Sequence, residues 1–256
     1  MPAPLHPDFL RLPLAHRGLH DRAAGRPENS RAAVRAAVRA GDGGEIDLQP
    51  SAEGVPMVFH DHDLTRLTGQ AGAVRARSAA ELGALRLLDT EEGIPTLAEV
   101  LALVAGKVPL LVEIKDQDGA MGPDTGGFEA RVAEALKGYT GPLAVMSFNP
   151  HAVTAFAAAA PGTAVGLITG AYDPAAWAPL PAATCARLRA IPDYARSGAS
   201  FISHDHADLA RPRVAELRAQ GAAVLCWTIR SPEAEAAARQ HAQNITFEGY
   251  AAPFPA

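Results

Sequence analysis

Short apolar runs alternate with longer stretches of helical period along the whole chain. The runs predict strands at 12–16, 45–49, 57–60, 110–114, 143–148, 164–168, 201–204, 223–229 and 245–248. Between them, the apolar spacing predicts helices at 30–40, 96–105, 128–137, 150–159, 212–220 and 231–242. Cap residues open several of these: Asn29-Ser30, Thr96 with Glu99 three later, and Ser231 before Pro232. Such alternation is the pattern of a parallel α/β fold, and of a closed (β/α)8 TIM barrel in particular.

Nine runs are one too many for eight parallel strands. The stretch 50–56 carries Ser51-Ala52-Glu53-Gly54 and has no room for a helix. A parallel crossover needs about a dozen residues, so the second and third runs are expected to form a hairpin. Counting outward from a turn centred on Glu53-Gly54 puts His60 opposite Asp47. The one long excursion, 64–95, holds a helical piece near 78–86 and reads as a small cap over one end or as a surface connection. No linker or low-complexity segment divides the chain, so residues 1–256 are expected to form a single domain.

Length agrees with this, since a single barrel of this type needs roughly 250 residues and the chain has 256, of which 48% are hydrophobic. The net charge is −5 and no basic block stands out, which argues against a dedicated nucleic-acid surface. No stretch approaches the roughly 20 apolar residues of a membrane span. The first residues show no basic region followed by an apolar run, so no secretory signal is expected. Two cysteines, Cys185 and Cys226, do not make a disulfide scaffold, and a cytoplasmic location is expected.

Candidate chemistry sits at strand ends. Glu45 and Asp47, two apart on a strand, share a face. Two such carboxylates repel unless a cation binds between them or a neighbouring Lys or Arg pairs with them. Glu113 and Lys115 share a face at the end of another strand. A third carboxylate at the same mouth would complete an all-oxygen site, suited to Mg²⁺ or Ca²⁺. His16 and His60 end strands where barrel active sites lie, and a histidine pair can supply one base and one acid. A structural role for either histidine alone is the commoner case. Arg17 forks well onto phosphate, and Gly18 lets the backbone turn close to a ligand.

The ordered set His16-Arg17-Gly18, Pro27-Glu28-Asn29-Ser30, Glu45-Ile46-Asp47 and His60-Asp61 with Leu64-Thr65-Arg66 resembles the glycerophosphodiester phosphodiesterase family. Ile94-Pro95-Thr96-Leu97 with Glu99-Val100-Leu101, Glu113-Ile114-Lys115, Ser147-Phe148 and Trp227-Thr228-Ile229 continue the resemblance. It implies one divalent metal ion held by Glu45, Asp47 and Glu113, with His16 and His60 as general acid and base. It implies Arg17 and Lys115 near the phosphate, Asn29 close to the site, and Trp227 lining the pocket. Asn29 serves equally well as a helix cap, and Trp227 as a core residue. The family's Thr-Asp near the last strand is replaced here by Thr246-Phe247-Glu248-Gly249-Tyr250. His204-Asp205-His206 has no firm counterpart and reads as rim structure or as a substrate contact.

The expected activity is hydrolysis of a small-molecule glycerophosphodiester to glycerol phosphate and an alcohol. A lysophospholipase D-like or sugar-phosphate phosphodiesterase on the same barrel is the alternative enzyme. A non-catalytic phosphate-binding barrel is the alternative of another class. The attacking oxygen is expected to be the substrate's own neighbouring hydroxyl rather than water, because a tethered nucleophile reacts unimolecularly.

Overall fold

The strands of this chain are buried on both faces, as parallel strands between a packed interior and a helical jacket must be. The computed structural model describes residues 2–254. Its strands are β1 (Leu14–Ala15), β2 (Gly43–Pro50), β3 (Pro56–Val58), β4 (Leu110–Ile114), β5 (Leu143–Ser147), β6 (Ala164–Thr169), β7 (Phe201–Asp205), β8 (Ala223–Ile229) and β9 (Asn244–Phe247). All strands but β3 run parallel, in the order β1-β2-β4-β5-β6-β7-β8-β9, and β9 pairs back onto β1. The result is a closed eight-stranded (β/α)8 barrel with β3 as an antiparallel outgrowth on β2.

Strand parity sorts the core into two layers. Leu14, Leu111, Ala144, Met146, Ala164, Ile168, Phe201 and Leu225 fill the barrel with Phe9. The alternate residues, such as Ile46, Leu48, Val112, Val145, Leu167, Ile202, Val224 and Ile245, pack outward against the helices. Phe201 is accommodated by Gly166, where a Cβ would come within 2.3 Å of its ring. The helix Asp8–Arg11 lies at the N-terminal end, pinned by Asn244 Nδ2 donating to Phe9 O at 2.8 Å and Leu12 O at 2.6 Å.

The expected helices form with ends shifted by a few residues, from Arg31–Ala40 through Leu97–Val104, Phe128–Leu136, Pro150–Ala159 and Pro212–Ala219 to Pro232–Ala238. Ala182–Arg189 was not foreseen, because only Cys185 and Leu188 mark its buried side. The first strand is shorter than expected since Pro13 has no N–H to give to a ladder. Among the described residues, no helix is long and apolar enough to cross a membrane.

The hairpin register differs by one from the expected pairing. Leu48 pairs with Val58 and Gln49 with Met57, and Phe59 N–H donates to Asp47 O at 2.9 Å. Phe59, not His60, therefore stands opposite Asp47. The turn is the cause. Ser51 N–H bonds to Val55 O, so the loop is Ala52-Glu53-Gly54, with Gly54 at φ 84°. A three-residue loop with a left-handed glycine centres on Glu53 alone.

The excursion 64–95 forms short helices around its own apolar cluster of Leu64, Leu67, Val74, Leu82, Leu87 and Ile94, packed on Met57 and Phe59 of the hairpin. It covers the hairpin rather than the barrel end.

Candidate active site

Four inward-facing rows converge at the C-terminal mouth. On β2, Glu45 and Asp47 continue the interior row. On β4, Leu111, Glu113 and Lys115 do the same, and the parallel register sets Asp47 beside Glu113. His16 follows Leu14 of β1, and Glu248 follows Asn244 and Thr246 of β9. One carboxylate oxygen from each of Glu45, Asp47 and Glu113 lies within 4.8 Å of the other two. His16, Arg17, Glu45, His60, Glu113 and Lys115 line a cavity of about 170 Å³, closed on another side by Met146, Phe148, Ile168 and Trp227. None of residues 64–95 lines it.

Lys115 Nζ bridges Asp47 Oδ1 at 2.7 Å and Glu113 Oε1 at 2.8 Å. Asn29 Nδ2 donates to Asp47 Oδ2 at 2.8 Å, and Asn29 Oδ1 accepts from Asp47 N–H at 3.3 Å. Ser30, not Asn29, caps the following helix, accepting from Ala33 N–H. Arg17 N–H donates to Glu45 Oε2 at 3.0 Å, helped by a left-handed backbone at Arg17 (φ 54°). The Arg17 guanidinium pairs with Glu28 at 2.7 Å and approaches Asp47 at 3.5 Å.

These contacts set the charge states. Burial opposes ionisation of Asp47, but Lys115, His60 and Arg17 outweigh it and hold the carboxyl far below its usual range. Burial, then Asp47 and Glu113, push Glu45 well up, since the Arg17 N–H is its short polar contact. Burial also raises Glu113, against Lys115. Lys115 is buried, yet Asp47 and Glu113 raise it above an ordinary lysine. Among the described residues, Glu45 is thus a buried carboxylate without a cationic side chain of its own, and with Asp47 and Glu113 it presents hard oxygen donors. The residues fit a hard divalent cation.

Each histidine is anchored at Nδ1. His16 Nδ1 lies 2.5 Å from Glu248 Oε2, and His60 Nδ1 lies 2.7 Å from Asp61 Oδ1. Burial pulls His16 below an ordinary histidine despite Glu248. Hydrogen bonds from His16 and His20 hold Glu248 well below the carboxylate range. Asp61 is gripped in turn by Arg66, which reaches Glu28 as well.

Trp227 is half-buried on the cavity wall. Its Nε1–H donates to Ser203 O at 3.0 Å, and its ring meets Phe148 edge-on at 5.5 Å. His204 is not rim structure: it is fully buried on the outward side of β7, with Thr169 Oγ1 2.7 Å from its Nδ1. Sequence reasoning passed over Glu248, treating it only as a departure from pattern. Inward parity with Thr246 was the available signal. Asp61 and Phe148 stood inside quoted motifs without a role. Arg230, which donates to Glu248 Oε1 at 2.7 Å, carried no signal.

Fold and site together define a (β/α)8-barrel protein with a buried acidic cluster, cations and paired histidines at its C-terminal mouth. Barrel phosphoric diester hydrolases form such a class. The chain belongs to the glycerophosphoryl diester phosphodiesterase family, which it matches over residues 16–246. It is 32% identical over 170 residues to a glycerophosphodiester phosphodiesterase of Caldanaerobacter subterraneus subsp. tengcongensis, covering 61% of this chain and 66% of that one. It is 37% identical over 99 residues to glycerophosphodiester phosphodiesterase 1 of Bos taurus, covering 35% of this chain and 29% of that one. Among solved structures, it resembles an Oleispira antarctica phosphodiesterase in complex with its product sn-glycerol-3-phosphate. That match has a TM-score of 0.75 and 26% identity over 94% of this chain and 93% of the other.

Proposed function

We propose that this chain hydrolyses glycerophosphodiesters to glycerol phosphate and an alcohol, with Glu45, Asp47 and Glu113 holding Mg²⁺ or Ca²⁺. The observation that carries this reading is one small cavity lined by Glu45, Glu113, Lys115, Arg17 and two anchored histidines, with Asp47 beside them. A cavity of about 170 Å³ is below the usual size for drug-like ligands and suits a glyceryl phosphate. The bound ion would supply neutralisation of phosphate charge and orientation of the glyceryl group.

Arg17 and Lys115 meet the phosphoryl oxygens and stabilise the charge that develops on them. Phe148 and Trp227 offer a wall for the carbon skeleton. His16 acts as base: burial keeps it neutral, and Glu248 fixes the proton on Nδ1, leaving the Nε2 lone pair free. His60 acts as acid: Asp61 holds its Nδ1, which leaves its other ring nitrogen to the cavity it lines. His16 takes the proton of the hydroxyl next to the phosphorylated carbon. The resulting oxygen attacks phosphorus while His60 protonates the departing alkoxide. A five-membered cyclic phosphate results, and water opens it with the two histidines exchanging roles.

Turnover of glycerophosphocholine, with and without a chelator, tests the reading. Release of choline that stops with chelator and returns with Mg²⁺ or Ca²⁺ is expected. No release from any glycerophosphodiester with either ion would overturn it. The acylated form run in parallel tests the lysophospholipase reading, which the wall formed by Phe148 and Trp227 keeps in view.

A further inference from the structure

His20 has no part in the reaction above, yet it shares an anchor with His16. Its Nε2 lies 3.4 Å from Glu248 Oε2, the oxygen that faces His16 Nδ1 at 2.5 Å. Arg230 takes the other oxygen, Oε1, at 2.7 Å. One donor atom from each of His16, His20 and Glu248 lies within 4.8 Å of the other two. The three side chains keep 15%, 25% and 19% of their surface exposed. A cleft of about 790 Å³, lined by His20, Asp21, Glu248 and Tyr250 among others, opens beside them.

This donor set differs in kind from the oxygen cluster deeper in the mouth. Two imidazoles and one carboxylate suit borderline metals such as Zn²⁺ or Co²⁺, whereas Mg²⁺ and Ca²⁺ favour oxygen alone. Three protein ligands with a solvent-facing fourth position are the usual makeup of an open zinc site. Tetrahedral bonds of about 2.0–2.2 Å set donor atoms roughly 3.3 Å apart. The His20–Glu248 pair already stands at 3.4 Å, the His16–Glu248 pair must part by under an ångström, and the His16 and His20 donors lie within 4.8 Å of each other.

We propose that His16, His20 and Glu248 form an inhibitory site for a borderline divalent metal ion. The inhibition follows from the tautomer and rests on His16 being the base; the binding does not. Metal bonds to the Nδ1 lone pair, and the Nδ1–H bond to Glu248 is lost. A neutral imidazole still carries one proton, which passes through solvent to Nε2. His16 then offers an N–H to the cavity and cannot accept the hydroxyl proton. His20 thus couples transition-metal exposure to the reaction without touching substrate.

Titrating Co²⁺ into the full-length protein in excess Mg²⁺, and following its visible absorption, tests the binding. Tetrahedral Co²⁺ bands are expected in the wild type and in Glu45→Gln. In His20→Ala and His20→Gln they should need at least roughly 10–100-fold more Co²⁺, as even loss of a supporting contact costs that much. Circular dichroism reports whether the variants fold. In the kinetic arm, Zn²⁺ should suppress glycerophosphocholine turnover by the wild type in excess Mg²⁺. His20→Ala should keep its basal rate and resist Zn²⁺. Bands that survive His20 replacement, or follow Glu45 instead, overturn the site. If bands follow His20 but no variant turns over a diester, the site stands and the hydrolase reading falls. Equal Zn²⁺ inhibition of wild type and His20→Ala overturns the inhibitory role.

Discussion

A neutral imidazole that accepts at one nitrogen carries its proton on the other, and at both His16 and His60 a carboxylate stands against Nδ1. Replacing either histidine by Ala should lower turnover by roughly 10²–10⁴-fold. His62→Ala and His206→Ala should change steady-state rates little: His62 contacts Gln49 outside the cavity, and His206 does not line it. Comparable losses at all four positions would mean the acid and base are misplaced. Glu248→Gln makes a second, pH-resolved prediction. Burial lowers the pKa of His16 and Glu248 raises it, so removing the carboxylate lowers it further. Activity that needs neutral His16 falls as pH drops through that pKa. The acid limb of kcat/KM should therefore move to lower pH in Glu248→Gln, with a lower plateau. A limb that stays in place or moves up would assign it to another group.

Among the elements, the helix Arg31–Ala40 ends at Gly41 in a left-handed cap, and Asp42 follows. Burial raises Asp42 to about 6, and the negative end of the helix dipole is an unfavourable neighbour for its charge. An acid whose pKa is raised on folding binds more protons folded than unfolded. Its cost is therefore absent below about 4, grows as pH rises to about 6, and is complete above that. Asp42→Asn should stabilise the protein at pH 7–8, on the order of 1 kcal/mol, and the gain should vanish near pH 4. Denaturant melts at the two pH values decide this, and a pH-independent difference would contradict it. The hairpin shows how much hangs on one turn residue. A loop centred on Glu53 instead of Glu53-Gly54 moves every cross-strand partner by one. His60 still reaches the cavity because the chain leaves the ladder after Phe59, whose side chain is anchored in the cluster beneath the excursion.

For the molecule as a whole, the acidic mouth is a local cost to stability that ligand binding can reverse. Without metal, Glu45→Gln and Glu113→Gln should melt no lower than the wild type, because each removes a buried carboxylate whose charge is disfavoured. With Mg²⁺ or Ca²⁺ at 100 times its dissociation constant, the wild type should gain about 2.7 kcal/mol, and the variants should gain less and lose most turnover. Thermal melts with each ion test this; a wild type that gains nothing while a chelator leaves activity intact would remove the metal from the account. A substrate analogue lacking the neighbouring hydroxyl should be nearly inert yet bind as a competitive inhibitor. Turnover near the parent's rate would make water the nucleophile.

The sequence by itself determined the barrel and the faces of its strands. The apolar alternation carries that information locally, since a period of two allows one inward row per strand. Glu45 with Asp47, and Glu113 with Lys115, were legible for that reason, and Glu248 lay within reach of the same rule. Tertiary structure decided which rows meet. The β2–β4 register set Asp47 beside Glu113, and barrel closure brought Glu248, 232 residues away in sequence, onto His16. It also gave the helix cap to Ser30 and freed Asn29 for Asp47, and it sent the excursion over the hairpin rather than the mouth. Local pattern fixes which way a side chain faces, but contacts between distant segments depend on loop geometry and on how the whole core packs. Neither is written in any single stretch of the chain.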